Sequence, residues 1–116
     1  MMTYKRGDVV LVLFPYSDQR TYKKRPALII QDEAVDTQLP QRIVVAITSN
    51  LERTGPTRIK ITKDCTDGKA MGLLDDSVIM TDNIQTIEPF MIEKTIGKCP
   101  AMSQVGTALH CTLGLK

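Results

Sequence analysis

Nine residues near the start of the chain, RGDVVLVLF (Arg6–Phe14), constrain the fold more than any other stretch. From Val9 onward every residue is apolar, valine recurs three times, and no alternation marks a wet face. Such a run, stopped by Pro15, reads as a β-strand buried on both faces or enclosed in a barrel. Further runs follow at short intervals. RPALIIQ (Arg25–Gln31) and RIVVAIT (Arg42–Thr48) read as strands; TRIKIT (Thr57–Thr62) alternates with period two and reads as half exposed. SVIMTDNIQTI (Ser77–Ile87) holds one bent strand or two short ones, and KTIGKC (Lys94–Cys99) is a weaker strand. Pro26 cannot donate to a ladder, so it belongs near a strand start or on an edge.

Polar, turn-rich segments separate these runs: Tyr16–Lys24, Asp32–Gln41, Ser49–Pro56 and Lys63–Gly72. In PAMSQVGTALHCTLG the period changes. Met102, Val105, Leu109 and Leu113 fall on one helical face, Pro100 suits the first turn, and Gly114 suits the stop. Short strands closed by one helix predict a mainly β fold, a small barrel with a C-terminal α-helix. The 116 residues fit a single domain over 1–116.

Composition excludes several functions. Cys65, Cys99 and Cys111 are dispersed without CxxC or Cys/His spacing, and His110 is the only histidine, so neither a disulfide framework nor a zinc site is indicated. No run approaches the ~18 apolar residues of a membrane span, and the N-terminus lacks a signal-type stretch. A cytoplasmic protein is expected. With no Trp and 4% aromatic residues the core must be aliphatic, and the aromatic platform of base-stacking modules is missing.

Net charge is +2, but residues 1–63 carry eleven Lys/Arg against six Asp/Glu, whereas 64–116 carry four against seven. The asymmetry suits a local anionic partner, or a solvated basic face. Its densest point is KKRPALII, where Lys23, Lys24 and Arg25 stand directly before a proline and an apolar strand. Taken alone, the lysines read better as edge charges that prevent aggregation, and Ile47–Ser49 as a strand entering a loop.

Taken in order, KRGDVVLVLFPYSD, KKRPALII, VVAITSN, GLLDDSVIMTDNIQTI and KTIGKC make the chain resemble the MazF/PemK toxins of bacterial toxin–antitoxin systems, from about Lys5 to Leu115. The resemblance implies an SH3-like barrel, a homodimer, and an endoribonuclease that cuts single-stranded RNA at short sequences without metal or other cofactor. It also implies a cognate antitoxin protein, with operator DNA reached only through that antitoxin. By the same resemblance Arg25 matches a catalytic arginine and Thr48 a catalytic threonine, with Ser49 beside it. Asp82 matches an acidic position used by some members. The loop carrying Asp18 and Gln19 matches a loop bordering the active site, and Lys24, Asn50 and Arg53 are expected along the RNA path. Two departures stand out: the loop has no glycine, and Met80 occupies a place where many relatives carry arginine. They motivate one rival, a degenerate member kept for antitoxin binding or transcriptional control; the other rival, a non-cutting relative that binds DNA gyrase, rests on the likeness of fold.

The chemistry suits these residue types. Attack of a ribose 2′-hydroxyl on the adjacent phosphorus builds negative charge on phosphoryl oxygens, which a planar guanidinium grips two at a time. Thr48 supplies a hydroxyl on a side chain with few rotamers. An arginine pKa above ~12 makes a poor general base near neutral pH. Asp18 and Asp82 are candidates for that role, or simply turn residues. His110 belongs to the C-terminal helix, far in sequence from the rest.

Overall fold

The computed structural model describes residues 4–15 and 20–115. Six strands form one antiparallel sheet in the order β4-β5-β3-β2-β1-β6. They are β1 (Asp8–Pro15), β2 (Tyr22–Ile29), β3 (Arg42–Thr48), β4 (Arg58–Ile61), β5 (Ser77–Ile87) and β6 (Ile92–Lys98). A short helix α1 (Thr66–Ala70) precedes β5, and helix α2 (Met102–Leu113) ends the fold. Among the described residues the ladder does not close between β4 and β6, so the expected SH3-like barrel is here a bent six-stranded sheet capped by a helix.

The unalternating run in β1 has the predicted cause. Val9 packs in a cluster with Leu28, Val45, Ile47, Ile79, Met71 and Val105, which includes the inner face of α2. Val10 and Val12 belong to a second cluster with Ala27, Ile29, Val44, Ile87 and Ile92. Both faces of the strand therefore feed a core; Leu11, Leu13 and Phe14 are half-buried, while all three valines are fully buried. Each such side chain contributes roughly 1.5–3 kcal/mol relative to exposure.

The bend lies in β5. Its C-terminal part pairs with the first half of β3 up to Val45↔Ile84, and the next pair is Ala46↔Met80. Thr81, Asp82 and Asn83 thus have no partner on β3, which makes a three-residue bulge. Of the two alternatives expected for this segment, one bent strand or two short ones, the single bent strand is present. Thr81 is buried; its Oγ1 donates to the Thr57 carbonyl at 2.6 Å and lies 2.9 Å from Thr112 Oγ1, tying the bulge to α2.

Several expectations are corrected. β2 begins at Tyr22, so Lys23 and Lys24 stand on a strand rather than in the preceding loop. The strand continues because these residues pair with Phe14 and Leu13 of β1. The segment 63–72 contains α1, whose N-terminus is capped by Cys65 Sγ accepting from the Gly68 N–H at 3.3 Å. In α2 the buried positions are Val105 and Ala108, while Leu113 is exposed because it lies in the last turn, beyond the sheet. Gly114 ends that helix with φ 66°. Cys99 is buried, and burial pushes its thiol pKa up; Cys65 and Cys111 are exposed and free. No described helix is long and apolar enough to cross a membrane.

Candidate active site

The site begins with a proline. β2 pairs with β3 only over Ala27↔Ala46, Leu28↔Val45 and Ile29↔Val44. That ladder stops next to Pro26, which has no N–H to extend it. Beyond this point β2 continues along β1, as far as Pro15↔Tyr22, and β3 continues along β5, as far as Thr48↔Val78. The two strands part where Arg25 and Thr48 stand, each two residues beyond the last shared pair and so opposite one another in register.

Two clefts open at this split. The first, of about 660 Å³, is lined by Arg25, Thr48, Ser49, Asn50 and Arg53, with Phe14 of β1 on the Arg25 side and Met80, Asn83 and Gln85 of β5 on the other side of β3. The second, of about 580 Å³, is lined by Lys23, Lys24, Arg25, Thr48, Ser49, Asp75 and Lys94, with Leu73, Leu74 and Ile96 among its apolar residues. Both volumes lie in the usual range for ligand sites. Arg25, Pro26, Ile47, Thr48 and Ser49 line both, so they form the ridge between the two grooves. The combined lining carries five cations, Lys23, Lys24, Arg25, Arg53 and Lys94, against the single carboxylate of Asp75.

Arg25 is exposed and, among the described residues, makes no hydrogen bond or ion pair. Its fork of donors is therefore uncommitted. Thr48 Oγ1 accepts the N–H of Asn50 at 3.1 Å, which sets its rotamer and leaves its own O–H free to donate. Asn50 Oδ1 accepts the N–H of Glu52 at 3.0 Å, and the Asn50 carbonyl accepts the N–H of Arg53 at 3.3 Å. These nested turns brace the segment 48–53, whose Ser49, Asn50 and Arg53 line one cleft.

The remaining expected residues divide. Lys24 lines the second cleft, but its Nζ sits 3.0 Å from Glu93 on β6, an exposed pair that solvent screens and that exchanges cheaply for another anion. Asp82 lines neither cleft. Arg58 holds it with two parallel bonds, Nε to Oδ1 at 3.0 Å and Nη2 to Oδ2 at 2.5 Å. The Arg58 guanidinium keeps the Asp82 carboxyl below the usual carboxylate range, which makes it a weaker base than an ordinary aspartate. Asp18 and Gln19 fall outside the described residues.

Sequence reasoning missed Asn83, Gln85 and Arg58. Arg58 stands opposite Met80 on β4. A cation is thus present beside the position where Met80 interrupts the resembling pattern, delivered from the neighbouring strand. The alternation of TRIKIT placed Arg58 on a strand, but no local signal says which carboxylate it meets.

Comparison with known proteins adds what geometry alone does not. A family described as PemK-like, MazF-like toxin of type II toxin-antitoxin system matches residues 5–111. Endoribonuclease EndoA of Bacillus subtilis (strain 168) is 33% identical over 118 residues, covering 98% of this chain and 97% of the relative. A solved endoribonuclease in complex with its cognate antitoxin, from a mycobacterial species, superposes with a TM-score of 0.78 at 26% identity, covering 98% of each chain. A MazE–MazF structure from Deinococcus radiodurans gives a TM-score of 0.76 over the whole of both chains; at 18% identity it speaks for the fold alone.

Proposed function

The chain belongs to the PemK-like, MazF-like toxin family of type II toxin–antitoxin systems, and on that premise we propose that it is an endoribonuclease whose ridge residues Arg25 and Thr48 act on the scissile phosphate. The observation that carries this reading is the Arg25 guanidinium, which has no partner among the described residues, at the split between β2 and β3, opposite Thr48 in register, where two cation-lined clefts meet. A single RNA strand crossing from one cleft to the other lays a phosphate on that ridge.

In the proposed reaction the ribose 2′-oxygen forms a bond to phosphorus and the P–O5′ bond breaks. The 2′-hydroxyl loses its proton and the departing 5′-oxygen gains one, giving a 2′,3′-cyclic phosphate and a 5′-hydroxyl. Arg25 binds two of the oxygens on which charge accumulates, and the free O–H of Thr48 donates to the same group. Preorganisation favours the transition state, because Arg25 rises from a strand and Thr48 is already fixed by Asn50. Lys24, Ser49, Asn50 and Arg53 hold flanking phosphates and sugars. No metal takes part in these steps, and cutting is selective for a short sequence. Asp18 and Gln19 are proposed to complete the RNA path.

A cognate antitoxin is the proposed protein partner, as in the mycobacterial complex, and a homodimer the proposed assembly. Operator DNA would be met through the antitoxin.

The test is incubation of the purified protein with a mixed RNA pool in EDTA, followed by mapping of the ends. Cyclic phosphate and 5′-hydroxyl ends at a recurrent short sequence are the expected result. Intact RNA with inhibition of DNA gyrase would instead favour a non-cutting relative of the same fold.

A further inference from the structure

The first cleft has a wall that phosphate chemistry leaves unused. On the other side of β3 from Arg25 it is lined by Asn83 and Gln85, both half-buried, and Gln85 Nε2 donates to Asn83 Oδ1 at 3.0 Å. That bond fixes the two amides relative to one another. It leaves the Asn83 amino group free to donate and the Gln85 carbonyl free to accept, on two residues that line the same cleft. A neighbouring donor and acceptor is the pattern that complements the hydrogen-bonding edge of an unpaired nucleobase.

The bulge creates this wall. Met80 pairs with Ala46 and Gln85 with Val44, two positions that share a face of β3. On an unbroken β5, Met80 would share its face with Asp82 and Ile84. The three unpartnered residues reverse that parity, so Gln85 joins Met80 in the cleft and Ile84 turns away to 38% exposure. Two contacts hold the bulge: the two-bond grip of Arg58 on Asp82, and buried Thr81 against Thr57 and Thr112.

Resting on the endoribonuclease reading, we infer that the Asn83–Gln85 amide pair reads one unpaired base next to the cut phosphodiester, and that Arg58 and Asp82 are positioning residues that aim it. Two amides presented together discriminate among bases because the wrong edge leaves a donor facing a donor or an acceptor facing an acceptor. Arg25 and Thr48, which meet only phosphate, are indifferent to base identity.

The test is cleavage in EDTA of an RNA library randomised around the cut position, with sequencing of the ends. The parent is compared with Asn83→Ala, Gln85→Ala, Gln85→Glu, Arg58→Ala and, from the other cleft, Lys94→Ala. Asn83→Ala and Gln85→Ala should loosen base preference at one and the same position by roughly five- to 150-fold, the range of a bidentate base contact. Gln85→Glu, which turns the Asn83 amide around to donate to the new carboxylate, should change the preferred base there rather than abolish preference. Arg58→Ala should loosen that position and no other, a pattern that general destabilisation does not produce. Lys94→Ala should alter the extent of cutting and its salt dependence but not that preference. If the Asn83 and Gln85 variants keep the parental motif, or if Arg58→Ala weakens all positions alike with a fall in melting temperature, the inference is overturned while the nuclease reading stands. A parent that cuts no RNA overturns both.

Discussion

On the proposed reading, replacing Arg25 by alanine should separate catalysis from folding sharply. The side chain is exposed and has no hydrogen bond or ion pair among the described residues, so its loss leaves no buried partner unsatisfied. Its backbone stays paired with Val12 of β1. Stability should change by no more than about 0.5 kcal/mol, the range of ordinary surface substitutions, which moves the melting temperature by only a few degrees in a chain of this size. The catalytic loss is of a different order. One preorganised donor to a developing oxyanion is worth ~10²–10³ in rate, or roughly 2.7–4 kcal/mol of barrier. Arg25 offers two donors in a fork, so the upper part of that range is expected. Arg25→Lys should recover only part of the loss, since an ammonium keeps the charge but not the paired geometry. The assay is single-turnover cleavage of a defined oligonucleotide in EDTA, run beside thermal unfolding of the same samples. An Arg25→Ala protein that cuts within about threefold of the parent rate would refute the assignment. So would a rate loss that tracks a large drop in melting temperature, because it would mean the guanidinium holds the fold together.

Other residues answer to different measurements. Thr48→Val keeps the side-chain shape but removes the hydroxyl that accepts the Asn50 N–H; cleavage should slow markedly while the urea midpoint reports a loss of about 0.5–1.5 kcal/mol. Gly72 has φ +70°, and a Cβ there would meet the Ile96 carbonyl oxygen at 2.1 Å; Gly72→Ala should cost at least ~2 kcal/mol in urea unfolding, combining a left-handed backbone with a backbone clash. Asp82 is depressed in the folded state chiefly by its bond to Arg58. Its contribution to stability is therefore complete above the ordinary aspartate pKa of ~3.9 and is lost as pH falls through the lower folded value. Below about pH 4 the parent should lose stability faster than Asp82→Asn, and parallel curves would contradict the clamp.

Much of the architecture was legible before any coordinates. The strand segments, the terminal helix and its Gly114 stop follow from apolar period and turn chemistry, which act over a few neighbouring residues. β1 announced its two-sided burial because a strand that feeds a core on both faces has no reason to alternate. Helix α1 was hidden because five residues carry too little periodicity to separate a single helical turn from a loop.

The site divides along the same line. Arg25 and Thr48 were candidates from their motifs, and Pro26 was visible as a residue that cannot donate to a ladder. The sequence alone determined that limit on Pro26 and that three cations stand directly before it. It placed the proline near a strand start or on an edge, whereas it lies inside β2, paired with Leu11 of β1 on one side, while on the other the β3 ladder fails. Tertiary structure decided what the failure opens: β2 stays with β1, β3 stays with β5, and two clefts share one ridge. It also decided that Asn83 and Gln85, rather than Asp82, face the cleft. Parity along a strand is readable only until an odd number of residues goes unpaired. Whether that happens depends on a partner strand some forty residues away and on Arg58 reaching across from β4, and no local pattern records either.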